Sequence, residues 1–133
     1  CSLGAAEASI EVARNHLRAR EQFGRKLASF QALQFKLADM ATDLHAARLM
    51  VWNAAQKLEI GSSDATKFCA MAKRLATDSG YSIVNNALQL LGGYGYLNDH
   101  PIERHLRDLR VHQILEGTNE IMRVIIARNI LKD

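Results

Sequence analysis

Apolar residues recur at intervals of three and four along most of this chain, the spacing that gathers them on one face of an α-helix. Leu3, Ala6, Ile10, Ala13 and Leu17 make the first stripe and predict a helix ending near Arg20. The segment 20–31 breaks the period at Gly24 and predicts a connection, with Ser29 as N-cap of the helix that follows. Leu33, Leu37, Met40, Leu44, Ala47, Val51, Ala54 and Leu58 then step by four and three without a fault. That heptad-like seam is about 38 Å long and marks a helix packed in a bundle. Gly61-Ser62-Ser63-Asp64 ends it and starts the next. Ala65, Phe68, Ala72, Leu75, Ser79, Ile83, Asn86 and Leu90 form a third seam, whose small residues allow close helix approach. Leu91-Gly92-Gly93-Tyr94-Gly95-Tyr96 interrupts it. A short helix or turn is expected at 101–106, an irregular passage at 107–117, and a last helix at about 118–131. No segment alternates apolar and polar residues as a strand does. The pattern predicts an all-α fold, an antiparallel four-helix-type bundle with three long helices, a short helix or turn, and one terminal helix.

Composition narrows the class. A chain of 133 residues suffices for one domain with a real core. Hydrophobic residues at 48% and charged residues at 23% describe a globular chain rather than a disordered one. No apolar run reaches the roughly 20 residues that a membrane span needs. Two cysteines make no disulfide framework and favour a reduced, intracellular setting. A net charge of +3 is too mild to argue for nucleic acid, and no recognition-helix pattern accompanies it. Anionic ligands such as phosphates stay open. The chain begins with Cys1 inside a helical pattern, so residues 1–133 are expected to be one domain cut from a longer protein.

The chemistry-bearing residues sit at the helix breaks. A di-iron bundle would need Glu-x-x-His pairs, and none of the five histidines lies three residues after a glutamate, so no metal is expected. The glycine-rich segment 91–96 follows a helix and not a strand, so it lacks the setting of a nucleotide-binding loop. It is either a helix C-cap with a tight turn or a place where a flat or phosphorylated ligand meets bare backbone. Arg18, Arg20, Arg25 and Lys26 cluster at the first break, and Arg104, Arg107 and Arg110 at a later one, where a pyrophosphate can be gripped. The stretch 112-HQILEGTNEIMR-123 sets Glu116 beside Ile114 and Leu115, then a glycine, then a helix start that Thr118 or Asn119 can cap. A carboxylate kept dry there can act as a general base, with the helix dipole close by.

Jointly these pieces resemble the C-terminal helical domain of the acyl-CoA dehydrogenase family. The matching wording is Arg-Glu-Gln-Phe-Gly (20–24), Phe-Gln (30–31), Gln-Leu-Leu-Gly-Gly-Tyr-Gly-Tyr (89–96), Arg-Asp-Leu-Arg (107–110) and Ile-Leu-Glu-Gly-Thr-Asn-Glu-Ile-Met-Arg (114–123). Residues 31–42 and 110–117 are similar to the short branched-chain, isobutyryl-type members. The resemblance implies α,β-dehydrogenation of an acyl-CoA to the 2-enoyl-CoA with FAD, electrons passing on to electron-transferring flavoprotein. Glu116 would be the base that takes the α-proton while hydride moves from the β-carbon to the flavin. Arg20, Phe30, Gln31, the run Gln89, Leu90, Leu91, Gly92 and Gly93, and then Thr118, Asn119 and Glu120 would contact FAD. Arg128 would lie near the CoA substrate. A homotetramer is implied, in the mitochondrial matrix for a eukaryotic source and the cytoplasm for a bacterial one. The family's N-terminal and middle domains are absent from this chain, so alone it is expected to be inactive. An acyl-CoA oxidase-like flavoprotein and a non-catalytic helical oligomerisation module are the rival expectations.

Overall fold

In the computed structural model, which describes residues 1–132, six helices account for most of the chain. They are α1 (Ser2–Ala19), α2 (Gln31–Glu59), α3 (Ala65–Leu91), α4 (Gly93–Tyr96), α5 (Ile102–His112) and α6 (Asn119–Ile130). The all-α bundle read from the periodicity is the fold observed.

The central element is α3, which packs against α1, α2, α5 and α6. Its composition explains this. Ala70, Ala72, Ala76, Gly80, Ile83, Val84, Ala87 and Leu90 are buried, and they lie on more than one face of the helix. Small side chains let neighbours come close from several sides at once. At Gly80 a Cβ would stand 3.0 Å from Ser2 Cβ and 3.2 Å from Ser2 O, so the start of α1 lies almost on the α3 backbone. The core is formed by Ala6, Ala13 and Leu17 of α1, Met40 and Leu44 of α2, Ile83, Val84, Ala87, Leu90 and Leu91 of α3, and Ile102 and Leu109 of α5. Burying each large aliphatic side chain contributes about 2 kcal/mol.

Two polar pairs tie α1 to α5. Ser9 Oγ donates to Ala5 O at 2.8 Å, which uses the hydroxyl proton. His105 Nδ1, 3.1 Å from that oxygen, is therefore the donor of their hydrogen bond. Ser2 Oγ and His112 Nδ1 meet at 2.8 Å one end further on. Burial, reinforced by the charge of Arg104, pushes the His105 imidazole below its ordinary value, while Asp108 opposes the shift.

The structure departs from the periodicity in four places. The connection 20–31 contains a two-stranded hairpin, β1 (Glu21–Gln22) against β2 (Arg25–Lys26), then a 3-10 turn at Leu27–Ser29. Strands of two residues are too short to show alternation, and Phe23-Gly24, both at positive φ, make the turn. Ser29 is not the N-cap of α2. Its hydroxyl donates back to Lys26 O, and Phe30 holds the cap position. The passage 107–112 is helical, because Ile102, Leu106 and Leu109 carry one apolar stripe through it and Arg107 pairs with Glu103 at 2.9 Å. Finally, Leu58, the last residue of the α2 seam, is exposed.

Candidate functional site

The irregular backbone that remains between α5 and α6 is short, and Glu116 stands in its middle. Glu116 has φ +56° and Gly117 φ +93°, two left-handed residues in succession. A side chain in that region is disfavoured sterically and persists only where the surroundings hold it. Thr118 then caps α6, its Oγ1 accepting from Ile121 N at 3.4 Å. Asn119 is the first helical residue and not the cap.

What holds the turn is a polar network rooted in α3. Lys73 Nζ donates to Gly117 O at 2.8 Å and to Asn119 Oδ1 at 2.7 Å. Asn119 Nδ2 donates to Thr77 Oγ1 at 2.9 Å and to Asp78 Oδ1 at 2.7 Å. Gln113 Nε2 donates to the same Asp78 oxygen at 2.8 Å, and Gln113 O accepts from Asn119 N at 3.0 Å. Arg123 and Arg74 approach the other Asp78 oxygen at 3.5 and 4.0 Å. Both amide protons of the buried Asn119 are thus used inside the fold, so its side chain positions the turn and offers a ligand no donor. Lys73, Thr77, Asp78 and Gln113 did not stand out in the sequence. Their only signal there is a polar i, i+4 pair, Lys73 and Thr77, interrupting an otherwise small-residue helix.

Glu116 itself is exposed in this domain, and its neighbours Ile114 and Leu115 are half exposed. The dry surroundings expected of the base are not supplied by these residues. They present the carboxylate at a surface with an apolar margin, on which a further body can close.

The other expected residues gather at the opposite end of α3. Arg20 caps α1 and its guanidinium lies 5.5 Å from the Tyr94 ring. Tyr94 also stacks edge-on with His100 and near His16. Burial, then Arg20 and His100, pull the His16 imidazole below its ordinary value. Phe30 is capped by the Arg25 guanidinium at 3.9 Å, and Gln31 is exposed at the first turn of α2. Gln89 is exposed, but Leu90 and Leu91 are buried in the core, so those two can meet a ligand only through backbone. Gly92, at φ +59°, and Gly93 are bare: a Cβ at either would touch nothing within 4 Å. Lys36 of α2 donates to Asn86 of α3 at 3.0 Å, which brings the start of α2 to this same end.

The two groups lie apart. Thr77, bound to Asn119, and Gln89 are 12 residues apart on α3, about 18 Å along its axis. Glu120, exposed and paired with Arg123 at 3.4 Å, belongs with the Glu116 turn. Arg128 is exposed in the last turn of α6, which runs back along the first half of α3. Among the described residues, no cluster of three or more His, Cys, Asp or Glu side chains is placed to hold a metal ion.

Fold and site together define an all-α domain that presents an exposed carboxylate, on a turn held by its own polar network, at an open, half-apolar surface. The chain belongs to the acyl-CoA dehydrogenase family: the family's C-terminal domain matches residues 1–131. It is 55% identical to the mitochondrial isobutyryl-CoA dehydrogenase of Bos taurus over 133 residues, all of this chain and 32% of that protein. It is 50% identical to a 3-(aryl)acrylate reductase of Clostridium sporogenes over 131 residues, 98% of this chain and 34% of that protein. Butyryl-CoA dehydrogenase from Megasphaera elsdenii superposes with a TM-score of 0.94 at 40% identity, over 98% of this chain and 34% of that one. The chain therefore spans about a third of the length of the relatives it matches. No helix among the described residues is long and apolar enough to cross a membrane.

Proposed function

We propose that residues 1–133 are the C-terminal helical domain of an FAD-dependent acyl-CoA dehydrogenase that acts on a short, branched acyl-CoA, and that Glu116 is its general base. The observation that carries this reading is the left-handed Glu116-Gly117 turn tied to Lys73 and Asn119. A strained acidic residue at a surface, held by a buried network, is arranged for use and not for stability.

The chemistry accounts for the residue type. A proton on the carbon next to a thioester is weakly acidic, so a carboxylate must be held within reach of it and shielded from water. Glu116 would take that proton, and donors fixed near the α6 N-terminus would favour the charge that develops on the thioester oxygen. FAD, when bound, supplies the acceptor for the hydride leaving the β-carbon. The residues present suit it: Arg20 can meet a phosphate, and the bare backbone of Gly92 and Gly93 admits a flat group, with Phe30, Gln31 and Gln89 beside them. Thr118 and Glu120 would flank the cofactor at the α6 start, and Arg128 the CoA. The two groups of contacts are about 18 Å apart along α3. Phe35, Leu49 and Trp52 leave an exposed apolar face on α2, which supports a homotetramer built through that helix. Electron-transferring flavoprotein would accept the electrons, and a eukaryotic source would place the enzyme in the mitochondrial matrix.

The test is Glu116→Gln in the full-length protein. Flavin should stay bound, while bleaching of the flavin by isobutyryl-CoA should fall by about 10³-fold or more. Bleaching at the native rate overturns the assignment. Profiling isobutyryl-, 2-methylbutyryl-, butyryl- and octanoyl-CoA should put the branched four-carbon substrate first. The likeness to a reductase of aryl acrylates favours a second reading, in which the same residues work in the direction of enoyl reduction. A reduced flavin that is reoxidised by aryl acrylate, and not bleached by acyl-CoA, would select it. The isolated domain should show no turnover.

A further inference from the structure

Of the cations in the network beneath the Glu116 turn, Lys73 is the one bonded to the turn itself, and its two contacts are unusually placed. Lys73 Nζ does not pair with a carboxylate. It donates to a backbone carbonyl, Gly117 O at 2.8 Å, and to a side-chain amide oxygen, Asn119 Oδ1 at 2.7 Å. Those acceptors flank Thr118, the cap of α6, and the first of them belongs to the residue after Glu116. The ammonium therefore joins α3 to the strained turn and to the first residue of α6. The amide plane of Asn119 is itself fixed, because both its protons are committed to Thr77 Oγ1 and Asp78 Oδ1.

We infer that Lys73 is a positioning residue for the reaction: its ammonium fixes the Gly117 carbonyl and so holds Glu116 in the left-handed conformation from which it reaches the α-proton. This rests on the reading of Glu116 as the base. The physical argument is one of competition. Two consecutive left-handed residues, one of them bearing a side chain, relax toward ordinary backbone unless something grips the peptide between them and the helix. A charge-assisted hydrogen bond to the carbonyl is the strongest grip a side chain can supply there, and it is the only bond from α3 that reaches the 116–117 backbone among the hydrogen bonds of the described residues. Without it, Glu116 samples other conformers and its reactive population falls, while the flavin and CoA contacts at Arg20, Gly92 and Arg128 are untouched.

The experiment compares Lys73→Met and Lys73→Arg in the full-length flavoprotein, with Glu116→Gln in the same assays. Three quantities are read: flavin content, KM for isobutyryl-CoA, and the rate of flavin bleaching with substrate deuterated at the α-carbon against unlabelled substrate. Lys73→Met should keep flavin and KM within about twofold, lower the bleaching rate about 10- to 100-fold, and raise the α-deuterium isotope effect. Lys73→Arg should recover most of the rate. If Lys73→Met bleaches at the native rate, or loses rate only in proportion to lost flavin, the inference fails. Should Lys73→Met not fold, Asn119→Ser loosens the same grip from its other side and should give the same split between rate and KM; an unchanged rate there also overturns the inference. Native activity in Glu116→Gln would instead defeat the underlying assignment, so the two failures are distinguishable.

Discussion

The Glu116 turn and the Arg20–Gly92 end are both surfaces, yet they are built on opposite terms. Beneath the turn lie an ammonium, an amide and a carboxylate with hydrogen bonds of 2.7 to 2.9 Å, rooted in the central helix. At the other end the backbone of Gly92 and Gly93 is open, Arg20 stacks loosely on Tyr94, and Phe23 is almost wholly exposed. The contrast fits the different roles proposed for the two places. A group that must reach a particular proton has to be fixed by its own chain, because a displacement of an ångström is costly to rate. A surface that only receives a ligand can stay bare until another body covers it. Exposure at the two ends therefore has different meanings.

The contrast can be broken most severely at Asn119. Asn119→Leu removes the amide while leaving Lys73 and Asp78 facing an apolar side chain, and should cost about 3 kcal/mol in a denaturant titration. A cost below about 1 kcal/mol would mean that the network is not what holds α6 to α3. Gly117→Ala comes next. The new methyl meets only the flexible end of Met122, so most of the penalty is the backbone conformation at φ +93°, about 1 to 2 kcal/mol. Its effect on flavin bleaching should exceed its effect on stability, and the reverse order would argue against a positioned turn. At the open end, Arg20→Ala should change stability by no more than about 0.5 kcal/mol, since an exposed cation–π contact is weak. Equilibrium dialysis of FAD should nonetheless show weaker retention by the full-length variant, and unchanged retention would remove Arg20 from the site.

The smallest effect expected is pH-dependent and lies in neither region. The folded state disfavours protonated His105, mainly through burial and then through Arg104. Its folded-state value lies below the unfolded one of about 6.5, so its contribution is complete above that pH and is lost as pH falls through the folded value. Between about pH 7 and 5 the denaturation midpoint should drift down, and His105→Gln should flatten the drift. His16 is shifted the same way, so a residual slope in that variant is expected.

Particular residues show how far the chain could be read. The stripes Leu3 to Leu17 and Leu33 to Ala54 predicted α1 and α2 because helix periodicity is local, and every residue of a stripe reports on the same face. The stripe Ile102, Leu106, Leu109 was equally present, but the charged run around Arg107 hid it until the Glu103–Arg107 pair was seen to lie along a helix. Glu116 could be singled out as an acid before a glycine and a capped helix. That it is left-handed could not, since only glycine advertises positive φ in a sequence. The family resemblance put Leu90 and Leu91 in the segment expected to pass the cofactor; that their side chains face the core could be known only from packing.

The amino-acid order alone thus settled the number of long helices, the faces that α1 and most of α2 bury and the acidic residue at the mouth of the last one, because these depend on neighbours within a few positions; the several buried faces of α3 it did not. The grip of Lys73 on Gly117 and Asn119 joins residues 44 and 46 positions apart. Such a bond exists only after α6 has docked on α3, so tertiary packing decided which polar residues of α3 hold the turn that carries Glu116.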